Sequence, residues 1–157
     1  MSEDFDVSTM VEVGEVVSNV EGMNLDQVYH NVCAQFKLPD GLSSDVLETE
    51  LLNREKVLST AVGNGIAIPH PRRPLLKEDQ PCRLLVAYLN HPLDMQAPDY
   101  RNVSVLFILL SNSSVIHVKA LSSLSRMLKN DQFLKCIRMK PNKTQLIEIA
   151  KQLEQNQ

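Results

Sequence analysis

Apolar and polar residues follow two different periods along the chain, which predicts a mixture of helices and strands. In several segments apolar residues recur every three to four positions after an Asn, Ser or Asp, the residues that cap helix starts. Residues 83–89 and 103–110 are instead nearly continuous in Leu, Val, Ile and other apolar residues, which is typical of buried strands. Helices are predicted over 24–36, 43–56, 113–128, 131–137 and 144–153.

Proline and glycine mark the loops between these elements. The small residues of 59–65 predict a loop that leads into the short apolar run 66–68, and Pro69 ends that run. Two further proline-containing stretches, His91-Pro92 and 97–99, predict a loop between the two buried strands. On the helix predicted at 113–128, we expect Val118, Leu121, Leu124 and Leu128 to form the apolar stripe.

The length of 157 residues and a hydrophobic content of 43% favour a single globular domain. Residues 1–10 are predicted to form a loose acidic tail, and residues 11–157 the domain. Because helices and strands mix along one chain, the expected class is α/β, with a sheet covered by helices.

The composition excludes several classes of protein. The three cysteines are an odd number without a C-x-x-C pair, which argues against a disulfide framework or a zinc finger. The acidic N-terminus does not resemble a signal peptide, and no apolar run approaches the roughly 20 residues of a membrane helix. We therefore expect a cytoplasmic protein with reduced thiols, without membrane insertion and without a cofactor.

Charge is distributed unevenly along the chain. Residues 1–36 contain seven acidic residues and no Lys or Arg, so residues 37–157 carry the 16 basic residues against 19 − 7 = 12 acidic ones. The excess of basic residues in 37–157 can bind an anionic ligand or a phosphorylated partner, although an ordinary solvated surface gives the same pattern. No dense Lys and Arg stripe with interleaved aromatics occurs, so nucleic acid is not an expected partner.

One of the four histidines has an unusual setting. His30, His70, His91 and His117 do not have the spacing of metal ligands on a helix, and His30 and His91 are expected at the surface. His70 follows a short apolar run and lies between two prolines, which favour an extended backbone. It is thus predicted to project from a strand end, where open α/β sheets bind ligands.

The residues around His70 resemble a known signature. Arg54-Glu55 is followed by Ser59-Thr60 and then by Gly65-Ile66-Ala67-Ile68-Pro69-His70. This block is similar to that of the enzyme IIA domains of the fructose–mannitol type in the bacterial phosphotransferase system, whose histidine accepts a phosphoryl group. Downstream, the segments 90–94, 97–99, 103–110 and 117–121 resemble the second block of the same family. The resemblance extends from about Val11 to the C-terminus and is strongest with the stand-alone, nitrogen-regulatory type.

The resemblance implies a fold and a set of site residues. The fold is a mixed sheet of about five strands with helices on both faces. His70 is the phosphoryl acceptor, His117 orients the phosphohistidine, and Arg54 stabilises the phosphoryl charge. Thr60 is expected to line the pocket. A neutral imidazole suits this chemistry because it is nucleophilic near neutral pH.

The surroundings of His70 carry two further expectations. Gly63 and Gly65 lack side chains, so we expect them to allow a partner to approach closely. Pro71 replaces a residue that carries a backbone N–H in the family, and Arg72 and Arg73 are the nearest groups that can substitute for it in binding phosphoryl oxygens.

Three functions remain open from the sequence. The first is a phosphoryl carrier that receives phosphate from the histidine phosphocarrier protein and passes it on, for example to an enzyme IIB domain. The second is a regulatory module whose docking to a transporter, a kinase or the transcription machinery depends on the phosphorylation state of His70. The third, suggested by Pro71, is a degenerate paralogue that has lost phosphorylation.

Overall fold

The computed structural model describes residues 5–156, which form six helices and five strands. In chain order these are α1 (Val7–Val13), β1 (Glu15–Val20), α2 (Leu25–Gln35), α3 (Ser44–Val57), β2 (Ala61–Gly63), β3 (Ile66–Ala67), β4 (Arg83–Leu93), β5 (Val103–Leu110), α4 (Ser114–Met127), α5 (Asp131–Arg138) and α6 (Lys143–Gln155).

The strands form one mixed sheet in the order β1-β4-β5-β3-β2. The central pair β4 and β5 is antiparallel, whereas β1 runs parallel to β4 and β3 runs parallel to β5. Successive residues of β4 face opposite cores: Leu84 packs with α1 and α4 to α6, and Leu85 packs with α2 and α3. Burial on both faces explains why the central strands are continuously apolar. The predicted mixed sheet with helices on both faces is confirmed.

The predicted helices begin at the expected caps. The side chains of Asn24, Ser43 and Ser113 each accept a backbone N–H from the first turn of α2, α3 and α4 respectively. Such a bond satisfies one of the amides that a helix start leaves without an intrahelical partner. At the start of α6, Asn142 and Gln145 form a reciprocal capping box.

The prediction of a loose tail over residues 1–10 is wrong for the part that the structure describes. Phe5 packs against the core, and Val7 and Met10 are fully buried on α1. The reason is the spacing of Val7, Met10 and Val11, which places three apolar side chains on one face of a short helix packed against α6. Residues 1–4 lie outside the described residues.

Two loop predictions are also corrected. The predicted loop 59–65 contains β2, which joins β3 through a turn at Asn64 and Gly65 with positive φ angles of 57° and 78°. This is the Asn-Gly hairpin turn, which needs residues that tolerate such angles. The strand β4 continues through His91 to Leu93, with a register shift after Tyr88 that accommodates Pro92.

The apolar face of α4 differs from the predicted stripe. Leu124 and Leu128 are buried as expected, but Val118 is exposed, and Ala120 and Met127 complete the buried face. In residues 5–156, none of the helices combines the length and the hydropathy needed to cross a bilayer.

Candidate active site

A cleft of about 430 Å³ contains both His70 and His117. It lies between the C-terminal end of α3, the segment that follows β3, and the loop and first turn that begin α4. Its lining combines the two histidines, three arginines and an apolar rim: Arg54, Val57, Leu58, His70, Pro71, Arg72, Arg73, Pro74, Ser111, Ser114, His117 and Val118.

A hydrogen bond to the backbone of Ile68 fixes the ring of His70. Its Nδ1 atom lies 2.8 Å from the carbonyl oxygen of Ile68. A carbonyl oxygen only accepts, so Nδ1 carries the proton in the neutral ring and Nε2 keeps its lone pair. The backbone here is held on both sides, because the Ile68 N–H donates to the Thr60 carbonyl at 3.0 Å and the Leu109 N–H donates to the Pro69 carbonyl at 2.9 Å.

His117 lies directly beside the acceptor candidate. The ring centroids of His70 and His117 are 5.1 Å apart, and the ring planes are tilted by 43°. His117 is in the first turn of α4, and the preceding loop is fixed because the Asn112 side-chain amide donates to the carbonyls of Glu78 and Gln80. The two histidines, 117 − 70 = 47 residues apart in sequence, thus meet in one cleft.

Both imidazoles are biased toward the neutral form. Burial lowers the pKa of His70 below its ordinary 6.5; the hydrogen bond to Ile68 opposes this effect, and the positive charge of Arg54 adds to it. Burial also lowers the pKa of His117, with further lowering by His70 and Arg54. A neutral ring at pH 7 is the form that can attack an electrophile.

Arg54 supplies a cation that no carboxylate of residues 5–156 neutralises. Its Nη1 atom donates to the Leu58 carbonyl at 2.6 Å across the end of α3, so the side chain is anchored by backbone. No acidic side chain among residues 5–156 forms an ion pair with Arg54. Its charge is therefore available to an anion in the cleft.

The other two arginines of the cleft lie at its rim, and one of them forms an ion pair. Arg72 and Arg73 are both exposed at the cleft rim. The guanidinium of Arg73 forms an ion pair with Glu50 on α3, with Nη2 and Oε1 3.0 Å apart.

Thr60 lies outside the cleft, which corrects the expectation that it lines the pocket. It is buried, and both its N–H and its hydroxyl donate to the carboxylate of Glu55, at 2.6 and 2.7 Å. The hydroxyl of Tyr29 donates to the same carboxylate at 2.9 Å. Sequence reasoning missed this function of Glu55: it anchors Thr60, whose carbonyl in turn holds Ile68. The signal was the position of Glu55 beside Arg54 in the motif.

Gly63 and Gly65 also lie away from His70, which corrects their expected place at the site. They form the hairpin turn at the opposite end of β3, where the Asn64 N–H donates to the carboxylate of Asp99 at 2.8 Å. Neither glycine lines the cleft. Their role is the backbone conformation of the turn, since Gly65 has a φ of 78°.

The remaining histidines are at the surface, as expected. His30 pairs with Glu48 and His91 with Glu21, and neither lies in the cleft. Within the described part of the chain, no three His, Cys, Asp or Glu side chains are grouped so that they could hold a metal ion.

Known proteins are similar to this chain in both sequence and fold. Residues 10–153 match the family described as phosphoenolpyruvate-dependent sugar phosphotransferase system, EIIA 2. A nitrogen regulatory protein of Pseudomonas aeruginosa is 30% identical over 148 residues, which cover 92% of this chain and 94% of that protein. One from Bradyrhizobium diazoefficiens is 38% identical over 90 residues, 56% of this chain and 57% of that protein.

The structural similarity agrees with the sequence match. The crystal structure of the nitrogen regulatory protein IIA-Ntr from Neisseria meningitidis has the same fold, with a TM-score of 0.77 at 23% identity, covering 92% of this chain and 98% of that one. Since the family match spans residues 10–153, this chain belongs to the EIIA type 2 family of the phosphoenolpyruvate-dependent sugar phosphotransferase system.

Proposed function

We propose that the chain is a phosphoryl carrier and regulator of the bacterial phosphotransferase system, which accepts a phosphoryl group on Nε2 of His70 from the histidine phosphocarrier protein. The observation that carries this proposal is the hydrogen bond from His70 Nδ1 to the Ile68 carbonyl, which leaves Nε2 as the nucleophilic atom. Arg54 and His117 in the same cleft support it.

The transfer exchanges one phosphorus–nitrogen bond for another. The lone pair of Nε2 forms a bond to phosphorus while the bond from phosphorus to the donor's histidine nitrogen breaks, and its electron pair returns to that nitrogen. The proton on Nδ1 of His70 stays in place. Negative charge spreads over the phosphoryl oxygens during transfer, so the guanidinium of Arg54 stabilises the transition state.

The first turn of α4 compensates for the amide that Pro71 lacks. Ser114, the first residue of α4, lines the cleft together with His117. The N-terminus of a helix carries partial positive charge and donor groups that favour an anion. With Arg72 at the rim, this turn gives the phosphoryl oxygens partners that do not depend on the peptide of Pro71.

The phosphocarrier protein docks on the apolar rim of the cleft. Four aliphatic side chains at the rim or next to it are exposed: Val57 by 64%, Leu58 by 69%, Val115 by 66% and Val118 by 66%. Exposed aliphatic residues around a polar centre are typical of protein interaction sites. This surface replaces the glycines as the expected docking region.

A regulatory role is the second candidate, and one contact favours it. Arg73 is paired with Glu50 at the cleft rim, and a phosphoryl group of nearly two negative charges on His70 competes for that guanidinium. Phosphorylation thereby changes the charge that a transporter, a kinase or an enzyme IIB domain meets. The relatives from Pseudomonas and Bradyrhizobium are named nitrogen regulatory proteins, which agrees with a regulatory role. We propose that this chain acts in the cytoplasm.

Phosphorylation in a reconstituted system tests the proposal. With phosphoenolpyruvate, enzyme I and the phosphocarrier protein, the chain is expected to gain one acid-labile phosphate, and His70→Ala to abolish it. His30→Ala and His91→Ala are the matched controls, because both histidines lie outside the cleft. Label retained by His70→Ala contradicts the assignment of His70, and an unlabelled wild-type chain supports the degenerate paralogue.

A second measurement separates the two roles. If the chain is mainly a carrier, the labelled protein passes phosphate rapidly to an enzyme IIB domain. If it is mainly a regulator, the label persists, and binding to a transporter or kinase changes with the phosphorylation state.

A further inference from the structure

A second cleft, of about 510 Å³, opens at the same end of the sheet's strands as His70, but beside the starts of β1 and β4. The two clefts are neighbours because Arg83, at the start of β4, pairs with Leu110, at the end of β5, and Ser111 lines the first cleft. They share no lining residue. Three cations line the second cleft: Lys37, Arg83 and Lys143.

These cations have no acidic partners at ion-pair distance in residues 5–156. Arg83 is half-buried, its Nε atom donates only to the Pro81 carbonyl at 3.3 Å, and burial lowers the pKa of its guanidinium. Lys143 is also half-buried, and its Nζ donates to the Gly14 carbonyl at 2.9 Å. A partly desolvated cation without a counter-charge is unfavourable, and an anion in the cleft would relieve that cost.

The position of Lys143 in its helix adds to the positive potential. Lys143 is the first residue of α6, a helix of 13 residues. The N-terminal end of a helix already carries partial positive charge, so a lysine there is electrostatically unfavourable in the empty cleft. An anion bound beside Lys143 would be stabilised by both the ammonium group and the helix end.

Two carboxylates also line the cleft, and they restrict where an anion can bind. The carboxylate of Glu15 is held in place because its Oε2 accepts the Lys37 backbone N–H at 2.9 Å. Asp40 is exposed at the mouth of the cleft. The five charged side chains sum to 3 − 2 = +1. The favourable subsite is therefore between Arg83 and Lys143.

We propose that this cleft binds a small organic anion through the guanidinium of Arg83 and the ammonium group of Lys143. The planar guanidinium matches two oxygens of a carboxylate or a phosphate, and the lysine adds a point charge. The volume is in the range of small-molecule sites and exceeds what one inorganic ion needs. The ligand class is thus a metabolite with two acidic groups, either phosphates or carboxylates.

Titration of the isotope-labelled full chain, followed by amide chemical shifts, tests this site. Pyrophosphate and malonate are the two probes, and their relative affinities distinguish phosphate from carboxylate recognition. We expect saturable shifts at residues 13–15, 37–40, 83–85 and 143. Arg83→Met and Lys143→Gln are each expected to weaken binding by about tenfold, because each removes a charge-assisted hydrogen bond.

The controls separate this site from the cleft of His70. Lys151→Gln removes a lysine from an exposed position of the same helix α6 and should leave the affinity unchanged. His70→Ala should also leave it unchanged, so failure of the proposed phosphoryl transfer does not affect this test. Lys37→Gln, at an exposed position, provides a milder variant if Arg83→Met unfolds. Shifts confined to 70–74 and 111–118, or affinities equal in all variants, would overturn the proposal.

Discussion

The Nδ1 atom of His70 lies 2.8 Å from the carbonyl oxygen of Ile68, and this contact selects the reactive nitrogen of the proposed acceptor. Because both residues belong to the same short segment after β3, the contact does not depend on a partner or on α4. The backbone directly after β3 therefore sets the tautomer of the His70 ring.

The phosphorylated chain is expected to carry its phosphoryl group on Nε2 of His70. Nδ1 is occupied by its bond to Ile68 and cannot act as the nucleophile without breaking it. Long-range ¹H–¹⁵N correlation spectra of the labelled ring distinguish the two isomers. A phosphoryl group on Nδ1 would show that this hydrogen bond does not direct the chemistry.

Arg54→Gln should slow phosphoryl acceptance by about a hundredfold, the usual loss when one electrostatic donor is removed. It should also raise the pKa of His70 and His117, because the positive charge of Arg54 lowers both. In the wild type, the midpoint of the decline in acceptance should lie below pH 6.5, and in the variant it should lie at a higher pH than in the wild type. Stopped-flow rates and histidine titrations measure these effects. Lys56→Gln, on the exposed face of the same helix, is the control.

His117→Ala should accept phosphate at nearly the wild-type rate but pass it on about a hundredfold more slowly. The acceptor nitrogen remains, while the ring 5.1 Å away that we expect to orient the phosphohistidine is gone. Forward and reverse transfer rates with the phosphocarrier protein and an enzyme IIB domain test this division. Equal losses in both directions would instead place His117 in the transfer step itself.

Glu55→Gln should destabilise the protein by about 1–3 kcal/mol and slow phosphoryl acceptance. The carboxylate accepts two bonds from Thr60 and one from Tyr29, and an amide cannot accept all three without leaving a donor poorly paired. Chemical denaturation gives the stability change, and the acceptance rate gives the effect on His70. Glu48→Gln, which weakens the pair with the exposed His30 away from the cleft, is the control and should change the acceptance rate little. A normal acceptance rate in Glu55→Gln would limit this residue to a role in stability.

Gly65→Ala should destabilise the fold by about 1–2 kcal/mol while leaving the phosphoryl acceptance rate unchanged. A φ of 78° is strained for alanine, and the turn lies at the end of β3 away from His70. Asn64→Gly, at the neighbouring position with a φ of 57°, relieves such strain and should not destabilise the fold. If Gly65→Ala accepted the phosphoryl group slowly but had normal stability, Gly65 would have a direct role in the active site.

Local signals predicted the helices well because their determinants are close in sequence. Asn24, Ser43 and Ser113 cap helices through bonds to residues three positions later. By contrast, α1 has only seven residues, and its stability comes from packing against α6 at the other end of the chain. Such a helix has too few turns for its period to stand out in the sequence.

The site was predicted only in part, for the same reason. The pairing of His70 with His117 depends on the register that sets Pro69 beside Leu109; periodicity does not encode that register, and the family resemblance supplied it. The Asn64-Gly65 pair did carry a local hairpin signal, but interpreting the glycines as room for a partner obscured it. The burial of Thr60 depends on Glu55 reaching across the end of α3, a tertiary contact.

The backbone hydrogen bonds on both sides of Pro69 have a consequence for the energetics of the proposed phosphoryl exchange. Hydrogen bonds from β5 and to the Thr60 carbonyl hold this segment on both sides before any phosphoryl group arrives. If His70 accepts a phosphoryl group as proposed, gain and loss of that group would require little reorganisation energy from the chain. The equilibrium constant of the proposed exchange would then be set mainly by the phosphoramidate of the donor and the one formed on His70, so the exchange would be readily reversible. A partner that distinguishes the phosphorylated from the unphosphorylated chain would accordingly have to respond to charge at the cleft and not to a change of shape.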